Sequence, residues 1–259
     1  MFNKENLKST LKTLNLSFFV ENFSNFAEKS EKEQINHVCY LNELSQGEVE
    51  KRHQQKIQNL IKKSKIPRHK TINNFDLSRI PSLSSSLIQR LSQGDWIDKT
   101  ENILIFGNPG TGKTHLCLAL TREWCLKGRK VFYTMAGNLV QELLRAKQAT
   151  QLDQYIKRLD NYEVLIIDDI SYLSCDRQET DVLFHLLSAR YEQRSVVITS
   201  NLAFSHWGQI FKDEMTTAAV IDRLVHHSSV LELNAESYRI ATAKNKQGNN
   251  SKKEVYMES

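Results

Sequence analysis

One eight-residue stretch, Gly107-Asn108-Pro109-Gly110-Thr111-Gly112-Lys113-Thr114, satisfies the pattern G-x-x-x-x-G-K-[ST] in full. Residue types in this order suit one kind of ligand. Glycines let successive backbone N–H groups curl around phosphate oxygens, and a helix beginning directly afterwards adds its positive dipole end. Gly107 to Thr114 is therefore read as a nucleotide-binding loop, with Lys113 reaching the β and γ phosphates of ATP and the Thr114 hydroxyl ligating Mg²⁺. Some fifty residues on, Leu165-Ile166-Ile167-Asp168-Asp169 is an apolar run that ends in two carboxylates. Asp168 is placed to hold Mg²⁺ through its water shell, and Asp169 to orient or deprotonate the water that attacks the γ phosphate. A third polar cluster, Thr199-Ser200-Asn201, ends another apolar run. Asn201 can hydrogen-bond the γ phosphate or its attacking water if that run neighbours the strand before the loop; otherwise it is an ordinary turn residue.

Such chemistry requires strands that end beside one another. Ile103-Leu104-Ile105-Phe106, Val131-Phe132-Tyr133, Val164-Leu165-Ile166-Ile167, Val196-Val197-Ile198-Thr199 and Val230-Leu231-Glu232-Leu233 are short apolar runs of β type. Between them Lys113–Leu126, Leu139–Ala146 and Asp181–Tyr191 carry helical apolar spacing. Continuously apolar strands alternating with helices predict an α/β fold, a parallel sheet covered on both faces. Upstream, Leu7, Leu11 and Leu14, then Phe19, Phe23 and Phe26, repeat at i, i+4, i+7, and the only glycine there, Gly47, is read as a handover between helices. The resulting division is a small all-helical domain over 1–65, a Pro- and Ser-marked linker over 66–86, an ATPase core over 87–240 and a disordered tail over 241–259.

The 259 residues include 40% hydrophobic and 25% charged residues, enough for a core. No apolar run reaches the ~20 residues of a membrane span, and the N-terminus has no apolar segment of signal-peptide type. The four cysteines are scattered, which disfavours a disulfide framework and a zinc site alike and points to the cytoplasm. Of the net charge of +5, residues 1–70 account for all, with 13 basic against 8 acidic residues, while the remainder carries 22 of each. Lys51, Arg52, Lys56, Lys62, Lys63, Lys65, Arg68 and Lys70 form a block without an acid, an electrostatic footprint for a polyanion, nucleic acid being the usual one, or, alternatively, a solvated helix face. Trp96, Trp124 and Trp207 are read as packing residues. His115 has no general-base partner, and His226-His227 lacks a third ligand at metal-binding spacing, which points away from a metal site.

Beyond the phosphate loop, Tyr191-Glu192-Gln193-Arg194-Ser195, Thr199-Ser200-Asn201-Leu202, Trp207, Ile221-Asp222-Arg223-Leu224-Val225-His226-His227 and Ser237-Tyr238-Arg239 resemble the IstB family. So do Leu11-Lys12-Thr13-Leu14 and Asn74-Phe75-Asp76-Leu77-Ser78. These are AAA+ ATPase helpers of transposition in bacterial insertion sequences, similar in turn to DnaC helicase loaders. The resemblance implies a P-loop AAA+ core without a full lid, ATP and Mg²⁺ as cofactors, a homo-oligomer with nucleotide between subunits, and DNA and a transposase as partners. It also implies that Arg223 is an arginine finger supplied to a neighbour's γ phosphate; the bland reading of Arg223 is a salt bridge with Asp222 or Glu232. Asp169 is one methylene shorter than the glutamate of many members, which implies slow hydrolysis. The rival readings are a DnaC-like replicative helicase loader, a small-molecule P-loop kinase and a module that holds ATP without turning it over.

Overall fold

The computed structural model describes residues 3–64 and 66–238, and the chain divides into two compact units at Asn59/Leu60. The predicted tail over 241–259, Lys65 and Arg239 lie outside the described residues.

In the first unit, α1 (Lys4–Thr13) and α2 (Ser17–Lys32) meet the first part of α3 (His37–Lys63) around Leu11, Phe23 and Leu44. Gly47 does not end a helix. It lies inside α3, where an added Cβ would collide with the Phe18 ring, so its role is to let α2 approach. Glu48, next along α3, is buried and faces the start of α2: its Oε2 accepts from the Phe18 N–H at 2.7 Å, and its Oε1 from Arg52 Nε at 2.7 Å. Burial alone would raise this carboxyl, but Arg52 and the α2 amides outweigh it and hold it below the ordinary glutamate value. Arg52 also donates to the Asn15 carbonyl at 2.7 Å, and Lys51 pairs with Glu21 at 2.7 Å. Two members of the basic block thus serve the helical unit itself, while Lys62 and Lys63 are exposed.

The second unit is a five-stranded parallel sheet in the order β2-β3-β4-β1-β5, with β1 (Asn102–Gly107), β2 (Val131–Met135), β3 (Val164–Asp168), β4 (Ser195–Ser200) and β5 (Ser228–Leu233). All five predicted strands are present. Alternate residues supply two separate cores. Leu104, Phe106, Leu165, Ile167, Val196 and Ile198 face α7 (Ala136–Gln148), α8 (Leu152–Leu159), α9 (Arg177–Arg190), α10 (Gly208–Phe211) and α11 (Glu214–Val225). Ile103, Ile105, Val164, Ile166 and Val197 face α4 (Ser85–Gln93), α5 (Asp95–Asp98) and α6 (Lys113–Leu126). Trp96, Trp124 and Trp207 are all buried in these cores, as the sequence reading has them.

The stretch over 66–86, expected as a linker, is packed structure. Ile66, Ile80 and Leu83 are buried in the α6-side core, and two 3₁₀ turns, Ile72–Asn74 and Leu77–Arg79, fold the chain between them. Its serines are polar because they bond backbone: Ser84 caps α4 through the Leu87 N–H, and Ser82 donates to the Glu232 carbonyl of β5 at 2.6 Å. No helix among the described residues is long and apolar enough to cross a membrane.

Replacing Glu48 with alanine would leave the Phe18 amide and Arg52 without their buried acceptor, and should destabilise the helical unit by about 1–3 kcal/mol. Because the folded carboxyl is held low, its contribution is full above the unfolded glutamate pKa and fades as pH falls through the folded value. Denaturant titration of the full chain and its Glu48→Ala variant, followed by amide exchange in α2, checks both the size and the pH direction.

Candidate functional site

β1 ends in the phosphate loop and β3 ends in Asp168, and the sheet order places β4, which ends at Ser200, directly between them. That neighbour relation was the condition on which Asn201 depended, and the fold meets it. The three predicted clusters open onto one cavity of about 690 Å³.

Two glycines of the loop have conformations that side chains resist. Gly112 has φ of +105° at the start of α6, where a Cβ would press on Phe75 Cε2 at 3.0 Å; Gly107 has φ of +152° with the Leu233 carbonyl 2.6 Å from where its Cβ would be. Lys113, the first residue of α6, is 5% exposed. Its ammonium donates to the Gly107 carbonyl at 2.7 Å, the Asn108 carbonyl at 3.0 Å and Asn201 Oδ1. A buried cation needs such oxygen partners. Here the loop bends its own carbonyls toward the lysine, and β4 contributes the asparagine.

Asp168 is 1% exposed and is met by hydroxyls from three elements. Tyr133 on β2 donates to Oδ2 at 2.6 Å, while Thr199 on β4 and Thr114 on α6 (3.3 Å) donate to Oδ1. Burial, reinforced by Asp168, raises the Tyr133 phenol well above its ordinary value, so it keeps its proton and stays a donor. Thr199 also accepts from the Asp169 N–H at 2.8 Å, and Asp169 itself takes a left-handed turn at φ +58° that carries its side chain out of the strand pattern. Thr114 and Asp168 thus present hydroxyl and carboxylate oxygens side by side, a hard-donor pair of the type Mg²⁺ accepts.

Several lining residues were missed in the sequence. Phe75 stacks edge-on against His115 with ring centroids 5.5 Å apart, and burial, then the nearby Lys70 charge, lowers the His115 pKa and keeps the ring neutral. Tyr238 donates its N–H to the Gly110 carbonyl at 2.9 Å while Arg79 lies 5.0 Å over its ring. Phe75 and Arg79 fell in the presumed linker. Tyr133 had a legible signal: it is opposite Ile166, two residues before Asp168, and so shares a face with that aspartate.

Arg223 does not line this cavity. It lies on α11, donates to the Ser188 hydroxyl and sits 4.7 Å over the Phe184 ring, both on α9. Among the described residues it forms no ion pair with Asp222 or Glu232.

With this geometry in hand, similarity to known proteins is decisive. Residues 9–246 match the family model of the IstB-like ATP binding protein. The chain belongs to the IstB family. An ATP-binding protein assigned to insertion sequence IS5376 of Geobacillus stearothermophilus is 37% identical over 92% of this chain and 94% of its own length. Another, assigned to insertion sequence IS21 of Pseudomonas aeruginosa, is 35% identical over 93% and 89%. Among solved structures, a DnaC helicase loader superposes with a TM-score of 0.53 at 17% identity, covering 64% of this chain and 97% of that one. That likeness shows the fold, a P-loop AAA+ core, as the sequence resemblance implied.

ATP binding by this family makes Gly112, where a side chain would be strained, a direct test of the loop. Gly112→Val would place a branched side chain at φ +105° against Phe75, and should weaken ATP binding at least tenfold while the circular dichroism of the sheet and helices is retained. Fluorescent-nucleotide titration measures this, and parental affinity in the variant would detach the loop from the ligand.

Proposed function

We propose that this chain binds ATP with Mg²⁺, hydrolyses it slowly, and uses the cycle to assemble on DNA and deliver target DNA to the transposase of its insertion sequence in the cytoplasm. The observation that carries the reading is the convergence of Lys113, Thr114, Asp168 and Asn201 on one cavity in a chain whose relatives are assigned to insertion sequences.

The residues divide the work as follows. The backbone of Gly107, Asn108, Pro109, Gly110, Thr111 and Gly112 wraps the triphosphate, and Lys113 exchanges its loop carbonyls and Asn201 for β and γ phosphate oxygens. Mg²⁺, when bound, neutralises charge between those phosphates; Thr114 and Asp168 would hold it. Tyr133 and Thr199 keep the Asp168 carboxylate aimed at that position. Asp169 orients or deprotonates the attacking water, and Asn201, released from Lys113, bonds the γ phosphate or that water. Arg223, absent from its own cavity, serves the site of a neighbouring subunit in a homo-oligomer, where a guanidinium stabilises charge on the transferring phosphoryl group.

A DnaC-like helicase loader is the second reading, supported by the superposition that covers 97% of that loader. The insertion-sequence assignments of relatives at 35–37% identity favour the transposition reading.

Lys113→Ala is expected to lose tight ATP binding. Arg223→Ala is expected to keep binding and lose about 10³–10⁵ in hydrolysis rate, less if the chemistry at Asp169 is itself slow. Mixing the two variants is the sharper measurement, because a mixed interface can join one intact loop to one intact arginine. Recovered phosphate release supports a shared site, and none at any ratio contradicts it.

DNA contact is assigned to the exposed part of the basic block, recurring once per subunit so that weak phosphate contacts add. Arg145, Lys147, Lys157 and Arg158 of the core are the next candidates. Neutralising Lys62, Lys63 and Lys65 together should weaken ATP-dependent duplex binding and flatten its salt dependence. Parental affinity and slope in that variant, with loss in a core variant, would move the DNA to the α7–α8 surface.

A further inference from the structure

Parallel strands give the second unit two unlike edges. Nucleotide chemistry belongs at the C-terminal edge, after β1, β3 and β4. At the opposite edge, two turns lead into strands: α9 passes through Tyr191 and Glu192 into β4, and α11 passes through His226 and His227 into β5. In sequence the histidine pair has no third ligand. In space it does.

Glu192 takes a left-handed conformation, φ +57°, uncommon for a residue with a side chain. Its Oε1 lies 3.7 Å from His227 Nε2 and 3.9 Å from His226 Nδ1, and the three ligand atoms fall within 4.8 Å of one another. An ion with bonds of about 2.0–2.2 Å at tetrahedral angles holds its ligand atoms roughly 3.3–3.6 Å apart. The arrangement is therefore within small side-chain rotations of a closed set. The backbone behind it is fixed: the His227 carbonyl accepts from the Asn102 N–H of β1 at 2.7 Å, and the Gln193 and Arg194 N–H groups both donate to the Arg190 carbonyl, at 3.0 and 2.9 Å. Arg190 in turn is fully buried and clamps the Leu159, Tyr162 and Ser195 carbonyls at 3.1 Å each. The side chains that would bind are exposed, so an ion could enter without prior desolvation of a core and keep a water in its fourth position.

We propose that Glu192, His226 and His227 form a binding site for a divalent first-row transition ion of the zinc class. Two imidazoles and one carboxylate are a donor set that Zn²⁺, Co²⁺ and Ni²⁺ accept readily, whereas Mg²⁺ favours all-oxygen sites. The Tyr191 hydroxyl, 2.8 Å from His226 Nδ1, orients the ring in the absence of the ion and gives way when Nδ1 coordinates. A cation here also lies at the C-terminal end of α11, the end that the helix dipole makes favourable. Bound, the ion ties the α9–β4 turn to the residues that directly follow α11, three residues after Arg223, and so fixes the end of the helix that carries it.

Cobalt titration of the nucleotide-free full-length chain in millimolar Mg²⁺ tests the site, with Co²⁺ visible absorption as readout and Zn²⁺ displacement as the second step. One Co²⁺ per chain is expected, displaced by Zn²⁺, with Glu192→Gln and His227→Ala each weakening binding about tenfold or more while far-UV circular dichroism stays parental. Absence of Co²⁺ absorption in the parent, or parental affinity in both variants, would overturn the assignment. Nucleotide affinity does not enter this readout, so failure here leaves the reading of the phosphate loop standing.

Discussion

A lysine ammonium buried to 5% exposure must be met by oxygen, and much of the second unit is arranged to do so. Lys113 is held by two carbonyls of its own loop and by Asn201 at the end of the neighbouring strand. Gly107 and Gly112 take positive φ within that loop, and for Asn201 to reach, β4 must lie beside β1. Burying a charge without such partners costs several kcal/mol. The same oxygens are the ones a phosphate replaces most readily, so the lysine that demands them is poised to exchange them for ligand.

A second buried charge balances the first. Asp168 ends β3 one strand further out and is held by Tyr133, Thr199 and Thr114 from β2, β4 and α6. Thr199 also bonds the Asp169 amide, so one hydroxyl ties the Asp168 carboxylate and the Asp169 backbone to β4. The cation and the anion are thus both tied to β4 and the turn after it, Lys113 through Asn201 and Asp168 through Thr199. Site geometry of this kind depends on strand order more than on any one side chain.

Much of this was legible in the sequence because local pattern and chemistry coincide. The glycines, Lys113 and Thr114 declare their loop, and the five apolar runs declare their strands, since parallel strands buried on both faces have little polar interruption. The linker over 66–86 misled because serine and proline carry two meanings: there they cap α4 and bond β5, while Ile66, Ile80 and Leu83, spaced without period, fill a core. Gly47 misled for a related reason, since a glycine that admits a neighbouring ring looks the same in sequence as one that ends a helix. Glu192 beside His226 and His227 was beyond reach, because more than thirty residues separate them and only the β4-β1-β5 order brings their turns together.

Lys113, Asn201 and Asp168 together make up the proposed phosphate and Mg²⁺ site, held ready by internal substitutes. A structure of the chain with a non-hydrolysable ATP analogue and Mg²⁺ tests it most directly. In that structure Lys113 Nζ is expected to leave Asn201 for the β and γ phosphates, Asp168 to turn to the metal's water shell with Tyr133 still bonded to it, and Asn201 to face the γ phosphate. Nucleotide bound elsewhere, or bound here with the Lys113–Asn201 contact unbroken, would contradict it.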